Sequence, residues 1–417
     1  MTRVQDHLDA YTQSWKSSAH TFPSFSHTFP VTEKQRREQV LDGYFRSVNA
    51  MKSRAPRRKP LTGDAQLQFI TATRHLLYEG LDFTAQQLHV LFSEELLDVS
   101  RQFVRQARQF DSALTFNEIF QACRNMWVMN GLQIVLGLPV KLTSSVFAYS
   151  LLYPYTDNLI DDPDISADDK ARFSTNFHER LAGHSPQPRT STERIIFSLV
   201  DMIEAEYPRS AFPDVYESLL AIHDAQTRSM RLLHAGDSLS ESETLEICLA
   251  KGGTSVVADG YLVAGTLTKD QEFFLFGYGA YLQLLDDIQD AQEDRAAGLH
   301  TMFSRSNEFL ESKVNMTHWF SSMVMQNLSL FGSQHLEIFS SLMRKSMELL
   351  VIGAIAHTSD LYSAAYVLEM ENYSPFSFSY LQTHKEHFVP YNGFLLKAIE
   401  ELAVAEYSSV TVSPFQQ

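Results

Sequence analysis

The sequence is short of cysteine and of basic side chains. Its 417 residues include two cysteines, Cys123 and Cys248, far apart in the chain. So few thiols exclude a disulfide framework and a zinc site built from cysteine, and they are typical of a reducing compartment. Lysine and arginine number 34 against 50 aspartates and glutamates, which gives a net charge of −16. This deficit of cations argues against nucleic-acid binding, because that function must displace phosphate counterions.

Long apolar runs are also missing. No stretch approaches the roughly 18 uncharged apolar residues of a membrane span, so we expect no transmembrane helix. The N-terminus lacks the apolar segment of a signal peptide, and we therefore expect a cytoplasmic protein. Glycine and proline are few, at 17 and 14, and period-2 alternation is scarce. Hydrophobic residues make up 44% of the chain, which is enough for a large core.

What the sequence does contain is the hydrophobic spacing of helices. One row consists of Phe116, Phe120, Cys123 and Trp127. A second row near the C-terminus consists of Phe339, Leu342, Met343, Met347 and Leu350. Steps of three and four residues place side chains on one face of a helix. The pattern therefore predicts an all-α fold, a single large helical bundle over residues 61–417.

The first 60 residues differ from the rest. Phe22-Pro23 and Phe29-Pro30 interrupt a stretch rich in Ser, Thr and His, which predicts a loop. Five basic residues then fall within the nine from Lys52 to Pro60. That segment is either a solvated linker or a basic arm beside an acidic ligand or surface, and such an arm could fold over a site. We therefore treat residues 1–60 as an N-terminal arm with a basic linker.

Acidic residues are concentrated in two motifs, each following an apolar stretch. The first motif is Asp157-Asn-Leu-Ile-Asp161-Asp162. The acids of the second motif are Asp286, Asp287, Asp290, Glu293 and Asp294. Carboxylates four residues apart project from one helix face, where they repel each other, and burial adds to that cost. Each motif alone is also compatible with a solvated helix end or a helix cap.

A hard divalent cation is the natural compensation for two facing carboxylate clusters. Carboxylate oxygens suit Mg²⁺, which is commonly shared with substrate phosphates. An EF-hand is excluded, because Leu159 stands at the third loop position and no glycine stands at the sixth. We therefore predict that several Mg²⁺ ions bind between the motifs and turn a diphosphate into a leaving group.

At these residues the sequence resembles the class I isoprenoid synthase superfamily. The first motif is similar to the DxxxD motif of squalene and phytoene synthases, and residues 279–290 resemble the GxxxQxxDDxxD motif of polyprenyl diphosphate synthases. Lys251-Gly-Gly-Thr254 is similar to the Lys-Thr helix of the family, and Gln226 stands where polyprenyl synthases carry a Gly-Gln pair. The resemblance covers residues 116–304 and implies a helical bundle around a central apolar cavity.

The resemblance also implies roles for individual residues. Catalytic and metal-binding roles fall on Asp157, Asp161, Asp286, Asp287 and Asp290, with Asp162 and Asp294 as further metal ligands. Diphosphate contacts fall on Lys251 and Arg124, and charge alone adds Arg228, Arg231 and Arg295 as candidates. The expected cavity residues are Tyr149, Tyr153, Gln226, Tyr261 and Gln283.

The chain differs from the enzymes that it resembles in the positions of its arginines. Chain-elongating synthases carry an arginine pair after the first motif, which is missing here. Tyr155-Thr156 and Gln289 stand where squalene and phytoene synthases carry arginine. Fewer arginines favour one diphosphate site, and hence a Mg²⁺-dependent terpene synthase that ionises a single prenyl diphosphate. A prenyltransferase with a second substrate, a non-catalytic helical partner subunit and a homodimer stay open as alternatives.

Overall fold

A computed structural model describes residues 2–25, 27–54, 63–162, 164–234, 239–305, 309–331 and 336–384. Throughout these ranges the regular structure is helical and no β-strand is formed, which confirms the predicted all-α fold. The first helices are α1 (Thr2–Lys16), α2 (Val31–Arg54), α3 (Gly63–His75), α4 (Ala85–Leu91), α5 (Glu94–Phe110), α6 (Phe116–Val135), α7 (Ser144–Asp161), α8 (Ala167–Leu181) and α9 (Ser191–Glu206). The next are α10 (Pro213–Ser229), α11 (Arg231–His234), α12 (Glu241–Ala264), α13 (Lys269–Gln289), α14 (Ala291–Ala297), α15 (Glu311–Gln326), α16 (Leu336–His357), α17 (Ala364–Glu371) and α18 (Phe378–Thr383).

The helices that matter for the site begin at hydroxyl caps. The side chains of Thr115, Thr143, Ser240 and Thr268 each accept a hydrogen bond from a backbone N–H of the first turn of α6, α7, α12 and α13. Such caps satisfy donors that have no partner within the helix. The starting points of these four helices are thus fixed locally by the sequence.

Both hydrophobic rows of the sequence lie on helices, as predicted. The first row belongs to α6, where Cys123 is fully buried. The second belongs to α16, where Met343 and Met347 are buried. Leu350 at the end of that row is 46% exposed, so the row leaves the core in its last turn.

The centre of the bundle is the antiparallel pair α12–α13. At their crossing a Cβ on Gly252 would lie 2.2 Å from the carbonyl oxygen of Gly279, and a Cβ on Gly279 would lie 2.1 Å from that of Gly252. No side chain other than hydrogen fits there, so the two backbones touch. Helices α6, α7 and α10 pack on α12, while α15 and α16 pack on α13.

Helix α1 packs against α12, α13 and α15. The Tyr11 hydroxyl donates to the backbone carbonyl of Phe273 at 2.9 Å, and the Trp15 indole donates to Thr317 at 3.1 Å. A non-helical stretch follows, in agreement with the loop predicted around Phe22-Pro23. The division at residue 60 stays a prediction, and the basic side chains from Lys52 onward lie outside the described part of the chain.

None of the helices in the described ranges combines the length and the apolar character that crossing a bilayer requires.

Candidate functional site

The second acidic motif runs from the end of α13 into α14. Asp290 ends α13, yet its N–H donates to the Asp286 carbonyl at 2.9 Å, and the Asp294 N–H donates to the Asp290 carbonyl at 2.8 Å. Helical spacing therefore continues through the break and keeps the acids in one row. Asp287 is buried, Asp290 and Asp294 are half-buried, and Asp286 is exposed. We call Asp286, Asp287, Asp290 and Asp294 the α13 carboxylates.

Three of the α13 carboxylates, Asp287, Asp290 and Asp294, resist ionisation. Burial raises the pKa of Asp287 to about 6. Burial and the negative charges of Asp287, Asp290 and Asp286 raise the pKa of Asp294 to about 7. Burial and the charge of Asp286 also raise the pKa of Asp290. The cluster therefore carries more negative charge than its protein surroundings balance.

Two cations face this cluster from neighbouring helices. Lys251 of α12 partly offsets the rise in the pKa of Asp287 and Asp294. Arg124 of α6 does the same for Asp290. Because α12 and α13 touch one residue beyond Lys251, at Gly252, the lysine is held against the end of α13. The structure thus brings both residues to the place where a diphosphate was predicted.

Helix α7 brings the first motif to the same place. Burial raises the pKa of Tyr153, and the negative charges of Asp157 and Asp286 raise it further. Tyr153 therefore lies between the two motifs. Its side chain is nevertheless 44% exposed, which places the ring on the wall of an opening rather than in packed core. Asp162 ends α7, where its Oδ1 accepts from the backbone of the following turn, and the Asp161 side chain lies outside the described part.

Asp287 is oriented by its neighbours. The Gln283 amide donates to Asp287 Oδ1 at 2.8 Å, whereas Oδ2 is buried and has no hydrogen-bond partner among the described residues. The Cys248 thiol also lies beside this carboxyl. Burial raises the pKa of the thiol, and the negative charge of Asp287 raises it further. Sequence reasoning placed Gln283 at the site but gave Cys248, which is also buried in the core, no role there. Its position one turn before Lys251 was the available signal.

The donor chemistry of the cluster fits a hard divalent cation. A buried, unpartnered carboxylate oxygen and an excess of negative charge are what such an ion neutralises. Within the described side chains, no group of three or more His, Cys, Asp or Glu is already gathered closely enough to hold a metal ion.

Behind the carboxylates, partly accessible side chains on three otherwise buried helices indicate a recess. These side chains form rows at four-residue steps, namely Asp157, Tyr153 and Tyr149 on α7, Lys251 and Ser255 on α12, and Asp286, Leu282 and Tyr278 on α13. Tyr149 and Tyr278 keep part of their surface accessible, yet burial raises the pKa of both, that of Tyr278 to about 12. Such rings line an internal space. We call this space, bounded by the three rows, the recess.

The inner end of the recess is polar. The Tyr149 hydroxyl hydrogen-bonds with Ser255, and Asp259 lies close enough for its charge to raise the pKa of Tyr149. Asp259 is 1% exposed and interacts with the Asn125 side chain. Sequence reasoning missed Asp259, Ser255 and Asn125. A single acid within the apolar run of α12 was the signal that could have revealed them.

Two predicted arginines pair with acids at the start of α12. The Arg228 guanidinium lies 3.8 Å from the Glu246 carboxylate, and that of Arg231 lies 3.6 Å from Glu243. The two arginines also belong to different helices, because α10 ends at Ser229. The structure does not bring either of them together with the α13 carboxylates.

Three further predicted residues lie on α12, α10 and α14. Tyr261 donates to Glu272 at 2.8 Å and, with Arg228, lines a separate cavity of about 800 Å³ between α1, α10, α12 and α13. Gln226 is half-buried on α10. Arg295 is exposed on α14, and its Nε donates to the backbone carbonyl of Ser304 at 3.1 Å.

Comparisons with known proteins add little to this geometry. No protein-family model matches the chain, and no curated protein is significantly similar to it in sequence. Among solved structures the chain is similar to the crystal structure of geranyltransferase from Legionella pneumophila, with 15% sequence identity and a TM-score of 0.33. The similarity covers 77% of this chain and 98% of that one. A likeness of this degree assigns neither a family nor an activity.

Proposed function

We propose that the protein is a class I isoprenoid synthase that uses Mg²⁺ to ionise a single prenyl diphosphate and release pyrophosphate and a terpene. The observation that carries the proposal is the meeting of the α13 carboxylates with Asp157, Lys251 and Arg124 at the open end of the recess. Charged groups at the mouth and aromatic rings behind it match the two ends of a prenyl diphosphate.

Each group at the mouth has a task in this reaction. Asp157, Asp286 and Asp290 would hold Mg²⁺, which would neutralise the diphosphate and make it a leaving group. Lys251 and Arg124 bind the diphosphate oxygens through charge-assisted hydrogen bonds. These contacts strengthen as negative charge gathers on the departing pyrophosphate, so they favour breaking of the C–O bond.

The recess serves the other product of that step, the allylic carbocation. Tyr153, Tyr149 and Tyr278 present rings along its length, and ring faces attract a cation. Gln283 keeps Asp287 in one orientation at the mouth through its amide hydrogen bond. The helices behind these side chains belong to the buried core, which keeps bulk water from the cation.

A single-substrate reaction is favoured over a prenyltransferase by the cations of the site. The charges of Lys251 and Arg124 bear on Asp287, Asp290 and Asp294. Arg228 and Arg231 are paired with glutamates instead. The two positive charges of Lys251 and Arg124 suit one diphosphate group better than two.

The direct test supplies one substrate at a time. Purified protein with Mg²⁺ is incubated with geranyl, farnesyl, geranylgeranyl or geranylfarnesyl diphosphate, and pyrophosphate release and extracted hydrocarbons are measured. We expect pyrophosphate and a terpene from one of them. Turnover only when a second prenyl acceptor is added would establish the prenyltransferase instead.

A pair of isosteric variants on α13 tests the site itself. Asp286→Asn removes a predicted metal ligand and is expected to lower pyrophosphate release by about 10²–10³-fold, because transition-state charge is no longer balanced. Asp270→Asn, in the first turn of the same helix, serves as the control and should stay near wild type. Mg²⁺ with pyrophosphate should raise the melting temperature of the wild type and of the control but not of Asp286→Asn. No stabilisation of the wild type would favour the non-catalytic partner subunit.

A further inference from the structure

The cavity between α1, α10, α12 and α13 takes no part in the proposed reaction. Its volume is about 800 Å³, which lies within the usual range of sites that bind a small molecule. Lys251 and the α13 carboxylates are not among the residues that line it. Leu8 and Phe276 form part of a buried floor, and the small side chains of Ala221 and Ala225 on α10 leave room beside it. We call this space the side cavity.

The side cavity is elongated, because it follows α10 and α12, which run antiparallel. At one end it is lined by Asp214, near the start of α10, and by Tyr261, near the end of α12. At the other end the Arg228 guanidinium of α10 lies 3.8 Å from the carboxylate of Glu246 on α12. From Asp214 to Arg228 the axis of α10 advances about 21 Å, at 1.5 Å per residue. A molecule that fills the side cavity is therefore long.

Acids outnumber basic residues along the side cavity. Its acids and arginines are Asp214, Glu217, Asp224, Glu272, Arg3 and Arg228. Four acids against two arginines leave a net charge of −2 while His7 is neutral. Asp214 and Glu217 form no ion pair with any side chain in the described ranges. Such an excess of negative charge repels a diphosphate and attracts a cation.

Glu272 lies at the Tyr261 end of the side cavity, where it is 5% exposed. The Tyr261 hydroxyl donates to one oxygen of its carboxylate at 2.8 Å, and His7 Nε2 lies 3.1 Å from the other. The Arg3 guanidinium is 3.5 Å away, and 58% of that side chain is exposed. An ion pair so open to solvent is weak. A ligand cation that reaches Glu272 from inside the cavity therefore competes with a loosely held arginine.

We propose that the side cavity binds a linear aliphatic polyamine, in which ammonium groups alternate with short methylene segments. The cavity face of α10 has the complementary order. Its carboxylates Glu217 and Asp224 are seven residues apart, or about 10 Å along the helix axis, and Ala221 lies between them. The ammonium groups pair with these carboxylates, while a methylene segment packs on the alanine. A terminal ammonium group replaces Arg3 at Glu272.

Titration of the full chain with spermine tests the proposal. Isothermal titration calorimetry of the metal-free protein in about 0.15 M salt, which screens exposed charges, measures the affinity and the stoichiometry. We expect one spermine per chain, with the same affinity in Asp286→Asn. Ala221→Leu fills part of the side cavity without a change of charge and should weaken binding by at least about tenfold. Arg3→Gln removes the competing cation and should strengthen binding by about two- to fivefold.

Other results would overturn the proposal. Equal affinity in Ala221→Leu and the wild type would show that spermine is only a counterion on the acidic surface. Loss of binding in Asp286→Asn would place spermine at the α13 carboxylates instead. Unchanged or weaker binding in Arg3→Gln would contradict competition for Glu272, and this exposed position keeps the test decisive if Ala221→Leu does not fold. No binding by the wild type would rule out the site. None of these titrations involves turnover, so the proposed function is judged separately.

Discussion

At the residue scale, two adjacent aspartates of the second motif have different surroundings. Successive residues of a helix point about 100° apart, so one of Asp286 and Asp287 must face the core when the other faces the opening. The structure buries Asp287 and exposes Asp286. The motif predicted both as ligands, but a sequence pattern cannot say which of two neighbours the packing of α12 will cover.

The raised carboxyl pKa values predict how stability depends on pH in the absence of divalent cations. Asp287 and Asp294 keep their protons to about pH 6 and 7 in the folded protein, against an ordinary value of 3.8. Between about pH 4 and 7 the folded state therefore binds more protons than the unfolded state. The free energy of unfolding should fall as pH rises through this window.

Asp294→Asn provides the check. It removes one of the repelling charges and should raise the free energy of unfolding at pH 8 by roughly 1 kcal/mol, once solvent screening is allowed for, with little change at pH 4. Urea unfolding in EDTA between pH 4 and 8 measures both. Parallel curves for the variant and the wild type would show that Asp294 carries no such repulsion.

Helix geometry also explains which cavity residues the sequence could identify. Tyr261 follows Lys251 by ten residues, and ten steps of about 100° turn it about 80° to one side of the lysine. Asp259 follows by eight residues and is turned about 80° to the other side. Asp259 lies on the side of α7, near Tyr149. Only the packing of α7 against α12 decides between the two sides.

At the element scale the crossing of α12 and α13 fixes the site. Gly252→Ala would force a methyl group against the carbonyl of Gly279, so we expect a loss of about 1–3 kcal/mol or more in the free energy of unfolding. The substitution would also move Lys251 away from the α13 carboxylates. The rate of pyrophosphate release should therefore fall. Urea unfolding and the pyrophosphate assay measure the two effects.

Gly353→Ala is the matched control for this variant. A Cβ at Gly353, also within a helix, meets no atom within 4 Å. Alanine there should leave stability unchanged or raise it by up to about 1 kcal/mol, because it favours the helix and restricts the unfolded chain. Equal effects of the two substitutions would contradict a close crossing at Gly252.

At the scale of the whole molecule, α1 belongs to the core. Leu8, Tyr11 and Trp15 are buried within the same hydrophobic cluster as α12 and α13. Their spacing of three and four residues is present in the sequence, but their partners, such as Phe273, lie more than 250 residues away. Local patterns predict helices and their apolar faces. They do not state which distant face a helix will cover.

Trp15→Ala tests this integration. Removal of a buried tryptophan is expected to lower the free energy of unfolding by about 3–5 kcal/mol. Lys16→Ala, at the next and exposed position, should change it by less than about 0.5 kcal/mol. A small effect of Trp15→Ala in urea unfolding would show that α1 is a separable arm. A role for the basic segment from Lys52 to Lys59 is therefore better tested by neutralising its charges than by deleting residues 1–60.

The glycine contact has a consequence for recognising distant relatives. Since the backbone carbonyl of each of Gly252 and Gly279 leaves no room for a side chain on the other, neither can change while the helices cross here, and both should be inherited. They stand 27 residues apart, with a lysine just before the first and an Asp-Asp pair seven residues after the second. That spacing is a search signature set by backbone contact, and it should persist in chains whose remaining residues have diverged beyond alignment.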